Sequence, residues 1–178
     1  AGLTITEMLA ATIILLIAAE GMSQGNLFAS RQFRTQLRTS EAHVLFSTLE
    51  ESVNYELSNT DYVSRKEDVV AFRSPTFAQR GAGYMHFANE TGSTAEKGYI
   101  TVGYDNPKSG KYEANYLVTP GAYTYGMTAA LTGLMFHPAE SGNPAYFSYT
   151  LTVYDDAGHE MITDSIDVLS VADGVKTE

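Results

Sequence analysis

The 178 residues include 11 basic and 21 acidic side chains, a formal charge of −10 that argues against nucleic acid as a partner through bulk electrostatics. There is no cysteine, which excludes disulfides and thiolate metal sites. Twelve Tyr and eight Phe argue against disorder, and the length suits one core plus a long helix.

The first element is an apolar stretch, Leu3–Ala19, with one acid, Glu7, inside it and no further charge until Glu20. At ~1.5 Å per residue it makes a helix of roughly 25 Å, slightly short of a hydrocarbon core of about 30 Å. Six Leu and Ile residues, Leu9, Ile13, Ile14, Leu15, Leu16 and Ile17, favour insertion. Their summed contribution roughly offsets one central carboxylate, so the segment is marginal as a lone span. A cleaved secretory signal is a poor fit, because a carboxylate within the apolar region is wrong for that role. A plain membrane anchor explains the hydrophobicity but not Glu7. An acid at membrane depth is read as functional, and its partner is sought. The nearest candidate cation is an α-amino group, available if the chain is cut just before Leu3.

Gly2, then Leu3-Thr4-Ile5-Thr6-Glu7, then a long apolar helix resembles the processing site and N-terminus of type IV pilins and of the pseudopilins of type II secretion and competence systems. The resemblance implies a peptidase cut between Gly2 and Leu3, with methylation of the new N-terminus. It also implies that Glu7, the fifth mature residue, meets the amine of Leu3 on a neighbouring subunit. It covers the first quarter of the chain by motif and the rest by order of elements.

Glu20–Asn26 contains Gly21 and Gly25, each costing a helix about 1 kcal/mol relative to Ala, and reads as a bend or locally melted hinge. The family likeness suggests that this region unwinds on assembly. Helix is expected again from Leu27 to Leu57, with Phe33, Leu37, Val44, Leu45, Leu49, Val53 and Leu57 as an apolar stripe. Arg31, Arg34 and Arg38 share one of the other faces.

From Asp68 the pattern changes to period two, and strands are expected at 69–72, 84–87, 99–104 and 112–118, with a turn at 105–110. Thr119–Ala130 is rich in Gly and Tyr and resists assignment. A short strand at 134–136 ends at Pro138, and a loop follows at 140–144. Tyr146–Tyr154 alternates cleanly, with Phe147, Tyr149, Leu151 and Val153 on one side. Asp155–Gly158 closes a hairpin onto 161–171, where Ile162, Ile166 and Val168 share a face. Residues 172–178 are expected to fray.

These elements predict an α+β fold, a long N-terminal helix with its apolar half projecting and the remainder packed on an antiparallel sheet. That order agrees with the pilin fold the resemblance implies. Two segments are expected, an apolar helix with its hinge (1–25) and a globular domain (26–178) holding helix 27–57 and a sheet within 68–171.

Motifs for chemistry are sparse. Gly21-Met22-Ser23-Gln24-Gly25 matches the G-x-S-x-G nucleophile elbow, with His137 or His159 as conceivable bases. The elbow needs a strand before it and a βα pattern after it, and neither is expected here. A glycine hinge is the simpler reading, and a serine hydrolase using Ser23 is a remote alternative. His43, His86, His137 and His159 fall in no zinc-ligand spacing. Asp155, Asp156 and Glu160 offer carboxylates to calcium, but a turn explains them sufficiently. No cofactor or metal site is expected.

The leading expectation is a structural filament subunit. Its partners would be copies of itself or related pilins, membrane lipid before assembly, and a prepilin peptidase with its assembly machinery. The subunit would sit in the membrane first and on the cell surface after assembly. The alternative is a membrane-anchored or filament-tip binding module, using exposed Tyr of Thr119–Tyr125.

Overall fold

The structure, a computed structural model, describes residues 4–66, 69–74, 85–90, 98–106, 109–140, 142–170 and 176–177. The chain forms two compact units, residues 1–40 and 41–178.

One helix, α1, spans Ile5–Ser58. The expected interruption at Glu20–Asn26 is absent, since these residues are helical throughout. The reason is cooperativity. Two glycines cost about 2 kcal/mol together, whereas breaking the helix forfeits backbone hydrogen bonds and demands a second nucleation. The C-terminal end falls one residue beyond expectation. There the Asn59 side-chain amide donates to the Tyr55 carbonyl at 2.8 Å, and the Thr60 hydroxyl donates to the Glu56 carbonyl at 3.0 Å. Both contacts satisfy acceptors that a helix terminus leaves open.

In the second unit α1 buries Ala42, Leu45, Phe46, Leu49, Val53, Glu56 and Leu57. The stripe expected from sequence is corrected at three positions. Val44 is exposed, because consecutive residues point about 100° apart and the buried face centres on Leu45, Leu49 and Val53. Phe33 and Leu37 are exposed as well, as is every described residue from Thr4 to Ser40.

Among the described residues nine strands follow α1. Six form one sheet in the order β5-β4-β3-β2-β1-β9. They are β1 (Tyr62–Lys66), β2 (Val69–Arg73), β3 (Met85–Glu90), β4 (Tyr99–Asn106), β5 (Lys111–Tyr116) and β9 (Lys176–Thr177). All pairings are antiparallel except β1 with β9, which is parallel. The other three, β6 (Thr128–His137), β7 (Tyr146–Tyr154) and β8 (Glu160–Leu169), form a second antiparallel sheet in chain order. Among the described residues, a bridge from Gly98 to Ala129 links the two.

The α+β class and the packing of helix on antiparallel sheet are therefore as expected. The core joins Leu45, Leu49, Val53 and Leu57 of α1 to Phe72, Ile100 and Val102 of the first sheet and Phe147, Tyr149, Leu151 and Val153 of the second. Two tethers close the helix exit. Arg73 grips Asp61 through two bonds of 3.0 and 3.1 Å, with its guanidinium 4.9 Å from the Tyr62 ring centre. Ser170 donates to the Thr60 carbonyl at 3.3 Å.

Three strands depart from expectation. β1 was not expected. β6 is ten residues long, where only 134–136 was expected, and it begins inside the stretch that resisted assignment. Its register shifts between Thr132 and Met135, where Gly133 has φ +64°, and this bulge destroys the period-two pattern. β9 lies in the tail expected to fray. Tyr84, Pro107, Lys108 and Val171 lie outside the described residues.

Candidate functional site

Among the described residues of the first unit, nothing apolar covers the helix. Ile5 is 80 % exposed, Leu16 70 % and Ile17 66 %, and Leu9, Ile13, Ile14 and Leu15 are all exposed. These residues fall on every side of the helix. A helix apolar all round is stable only inside a larger core or a membrane. It is also long and apolar enough to cross a membrane. Even its hydroxyl at Thr12 is satisfied internally, donating to the Leu9 carbonyl at 2.8 Å.

Glu7 sits in the first turn of this helix. The Thr4 backbone N–H donates to Glu7 Oε2 at 2.8 Å, and the Thr4 hydroxyl donates to the same oxygen at 2.9 Å. In return the Glu7 backbone N–H donates to Thr4 Oγ1 at 3.4 Å. Thr4-Ile5-Thr6-Glu7 is thus a capping box, in which cap and third-position acid satisfy each other's backbone donors. The S/T-x-x-E spacing that marks such a box is visible in the sequence. The box alone accounts for an acid here, because negative charge is favourable at a helix N-terminus.

The other singled-out residues fall as follows. Gly2 and Leu3 lie outside the described residues. Gly21 and Gly25 are helical, and a Cβ added at either meets nothing within 4 Å. Ser23 lies between them in the same helix, so the strand-to-helix turn that a nucleophile elbow requires is missing. The histidines weighed as its base are engaged elsewhere. The His137 ring stacks on Tyr146 with centres 4.3 Å apart, and its Nε2 lies 2.9 Å from the Ser148 hydroxyl. His159 pairs with Asp155 at 3.1 Å. Asp155 also accepts from the backbone N–H groups of Ala157 and His159 at 2.9 and 2.8 Å. Those bonds, that of His159 above all, hold its carboxyl below the usual range and account for the turn.

The two tyrosines of the unassigned loop divide. Tyr123 is buried and accepts the Ile100 backbone N–H at 3.2 Å; burial pushes its phenol up to about 12. It is a core residue. Tyr125 is 45 % exposed and sits at φ +54°, a left-handed conformation uncommon for a bulky residue. The segment is held to the helix by the Thr124 hydroxyl, which donates to Glu41 at 3.3 Å.

One buried acid escaped the sequence reading. Glu56 is 6 % exposed, and its Oε2 has no hydrogen-bond partner among the described residues. Burial raises its pKa, opposed by a hydrogen bond with Ser74.

A long N-terminal helix with an apolar first half, leading into an antiparallel sheet, is an order of elements that pilins share. No protein-family model matches this chain, and no curated protein or solved structure matches it either.

Proposed function

We propose that this chain is a structural subunit of a type IV pilus-like filament, held in the membrane by its N-terminal helix before assembly. The observation that carries the reading is the helix itself, exposed from Thr4 to Ser40, apolar on every side in its stretch up to Ala19, and headed there by the acid Glu7. Such a surface calls for lipid first and for sister helices afterwards. In a bundle of these helices Glu7 neutralises the amine of Leu3 on a neighbour, after cleavage between Gly2 and Leu3. The capping box is compatible with this role. A carboxylate accepts up to about four hydrogen bonds, and Thr4 takes two. The box also holds the acid in one position, so less freedom is lost when the amine arrives. Such a pair fixes register more than it adds raw stability.

Electron microscopy of the native material tests the reading. Thin filaments that label with an antibody against residues 41–178 are expected, whereas dispersed monomers in the membrane would overturn it.

One observation favours a second reading, a membrane-anchored or tip-borne binding module. Tyr125 combines exposure with a strained backbone, a pairing that concentrates at ligand-contact sites. In that case Tyr125→Gly would relieve the strain and abolish binding while filaments, if any, remained unchanged.

A further inference from the structure

The charges of α1 are divided along its length. Residues 21–40 contain Arg31, Arg34 and Arg38 and no acid, while residues 41–58 contain Glu41, Glu50, Glu51 and Glu56 and no Lys or Arg. The acidic part borders a groove of about 650 Å³ between α1 and β8. Glu50, Glu51 and Asp167 line it, with Tyr55 and Leu169 as exposed apolar walls, 58 % and 59 % accessible. Among the described residues β8 is the outer strand of its sheet.

We propose that this groove receives Arg31 and Arg34 from the helix of a second copy of the chain. The proposal rests on the filament reading above and adds which surfaces meet. Arg31 and Arg34 are exposed and three residues apart, hence side by side on one helix face. Guanidinium forks match carboxylates in two-bond geometry, and the arginine stems are apolar enough to lie on Tyr55 and Leu169. The two patches are different surfaces of the same chain. A contact between unlike patches, repeated head to tail from copy to copy, propagates into an open polymer wherever its rotation does not close a ring. An acidic groove alone would not name its occupant; the arginine face on an identical chain does.

The test is a charge exchange in the full-length chain, expressed as the sole copy. Arg31→Glu with Arg34→Glu should lower sheared-filament yield by about tenfold or more, as like charges placed in contact repel. Glu51→Arg with Asp167→Arg should do the same; both positions are exposed, so the fold is not at stake. The four substitutions together should restore most of the yield. Because the chain has no cysteine, Arg34→Cys with Glu51→Cys gives a second measurement, a disulfide-linked ladder formed only in assembled material.

Failure of the fourfold variant to recover, together with no ladder, overturns the docking. So does loss of the arginine variant from the membrane fraction while the groove variant assembles normally, which would assign the arginines to lipid headgroups. In both cases filaments of the unaltered chain leave the proposed function standing. Absence of filaments from the unaltered chain removes that function and this contact with it.

Discussion

The Tyr149 hydroxyl donates to Asn54 Oδ1 at 2.7 Å, tying the middle strand of the second sheet to the helix. The ring is buried, 2 % exposed, so one side chain supplies both core volume and a polar tether. Tyr149→Phe keeps the volume and should cost about 1 kcal/mol, the usual net worth of such a bond. Leu49→Ala, at a fully buried position of the same helix, should cost about 2–5 kcal/mol. Urea unfolding of residues 41–178 measures both, and the ordering of the two losses checks the assignment of helix to sheet.

Glu7→Gln separates the two explanations of the acid. Gln can keep the capping box but carries no charge. If Glu7 neutralises a neighbouring amine, Gln and Ala should both reduce filament yield by about tenfold or more, since breaking a buried pair strands the other charge. If it only caps, Gln should assemble like the parent. Membrane fractionation of the same strains should show both variants inserted.

Gly21→Ala with Gly25→Ala should make the helix more stable by about 1 kcal/mol per site, without steric conflict. Reduced filament yield from this stiffer helix would show that the glycines are needed to bend or unwind during assembly. Unchanged yield would remove the hinge role. Circular dichroism of detergent-solubilised protein reads the first effect and sheared-filament recovery the second.

Glu56 makes stability depend on pH with a definite sign. Its folded pKa is raised by burial, so the folded state keeps a proton that the unfolded state has already released. Its contribution is therefore most favourable below the ordinary carboxylate value. It declines as pH rises from there through the folded value, and is flat above. Glu56→Gln cannot ionise and should remove this decline, leaving the variant the more stable chain at neutral pH. Urea midpoints at intervals between pH 4 and pH 8 decide the matter; parallel curves for parent and variant would contradict it.

N-terminal sequencing of material recovered from the cell surface should begin at Leu3. The residues behind this expectation are Gly2 and Glu7, spaced as a prepilin-type cut requires. A start beyond Ala19 would show removal of the whole apolar segment and would sink the filament reading.

Sequence pattern served best where burial is one-sided and regular. β7 matches its expected bounds residue for residue, because Phe147, Tyr149, Leu151 and Val153 alternate without a break. The helix end was found to within one residue for a similar reason, since apolar spacing stops at Leu57. β6 was obscured by its bulge at Gly133, and β1 by Ser64, Arg65 and Lys66, which give little apolar alternation. The continuity of the helix through Gly21 and Gly25 is not legible from local propensity alone, because helix cooperativity outweighs two glycines. At the candidate site, Glu7 was legible as an outlier of charge, but its bond to Thr4 was not sought. The groove under Glu50 and Glu51 could not be read from sequence at all, because it needs Asp167 and Leu169 from a strand more than a hundred residues away.

β1 is the first strand made after the helix, yet one of its two neighbours is β9, which follows every other strand. While the polypeptide is still being delivered, Tyr62 and Val63 have β2 beside them and an open edge on the other side. An open edge next to a tethered helix invites pairing with whatever strand is nearby. Under the proposed function, subunits waiting side by side in a membrane are at high local concentration, and the interval before β9 arrives is then when strands of different copies exchange. The order of synthesis thus gives the pairing of Lys176 and Thr177 with β1 the task of a latch, and Thr177→Pro, which removes a backbone donor there, should raise the proportion of entangled, protease-sensitive subunits.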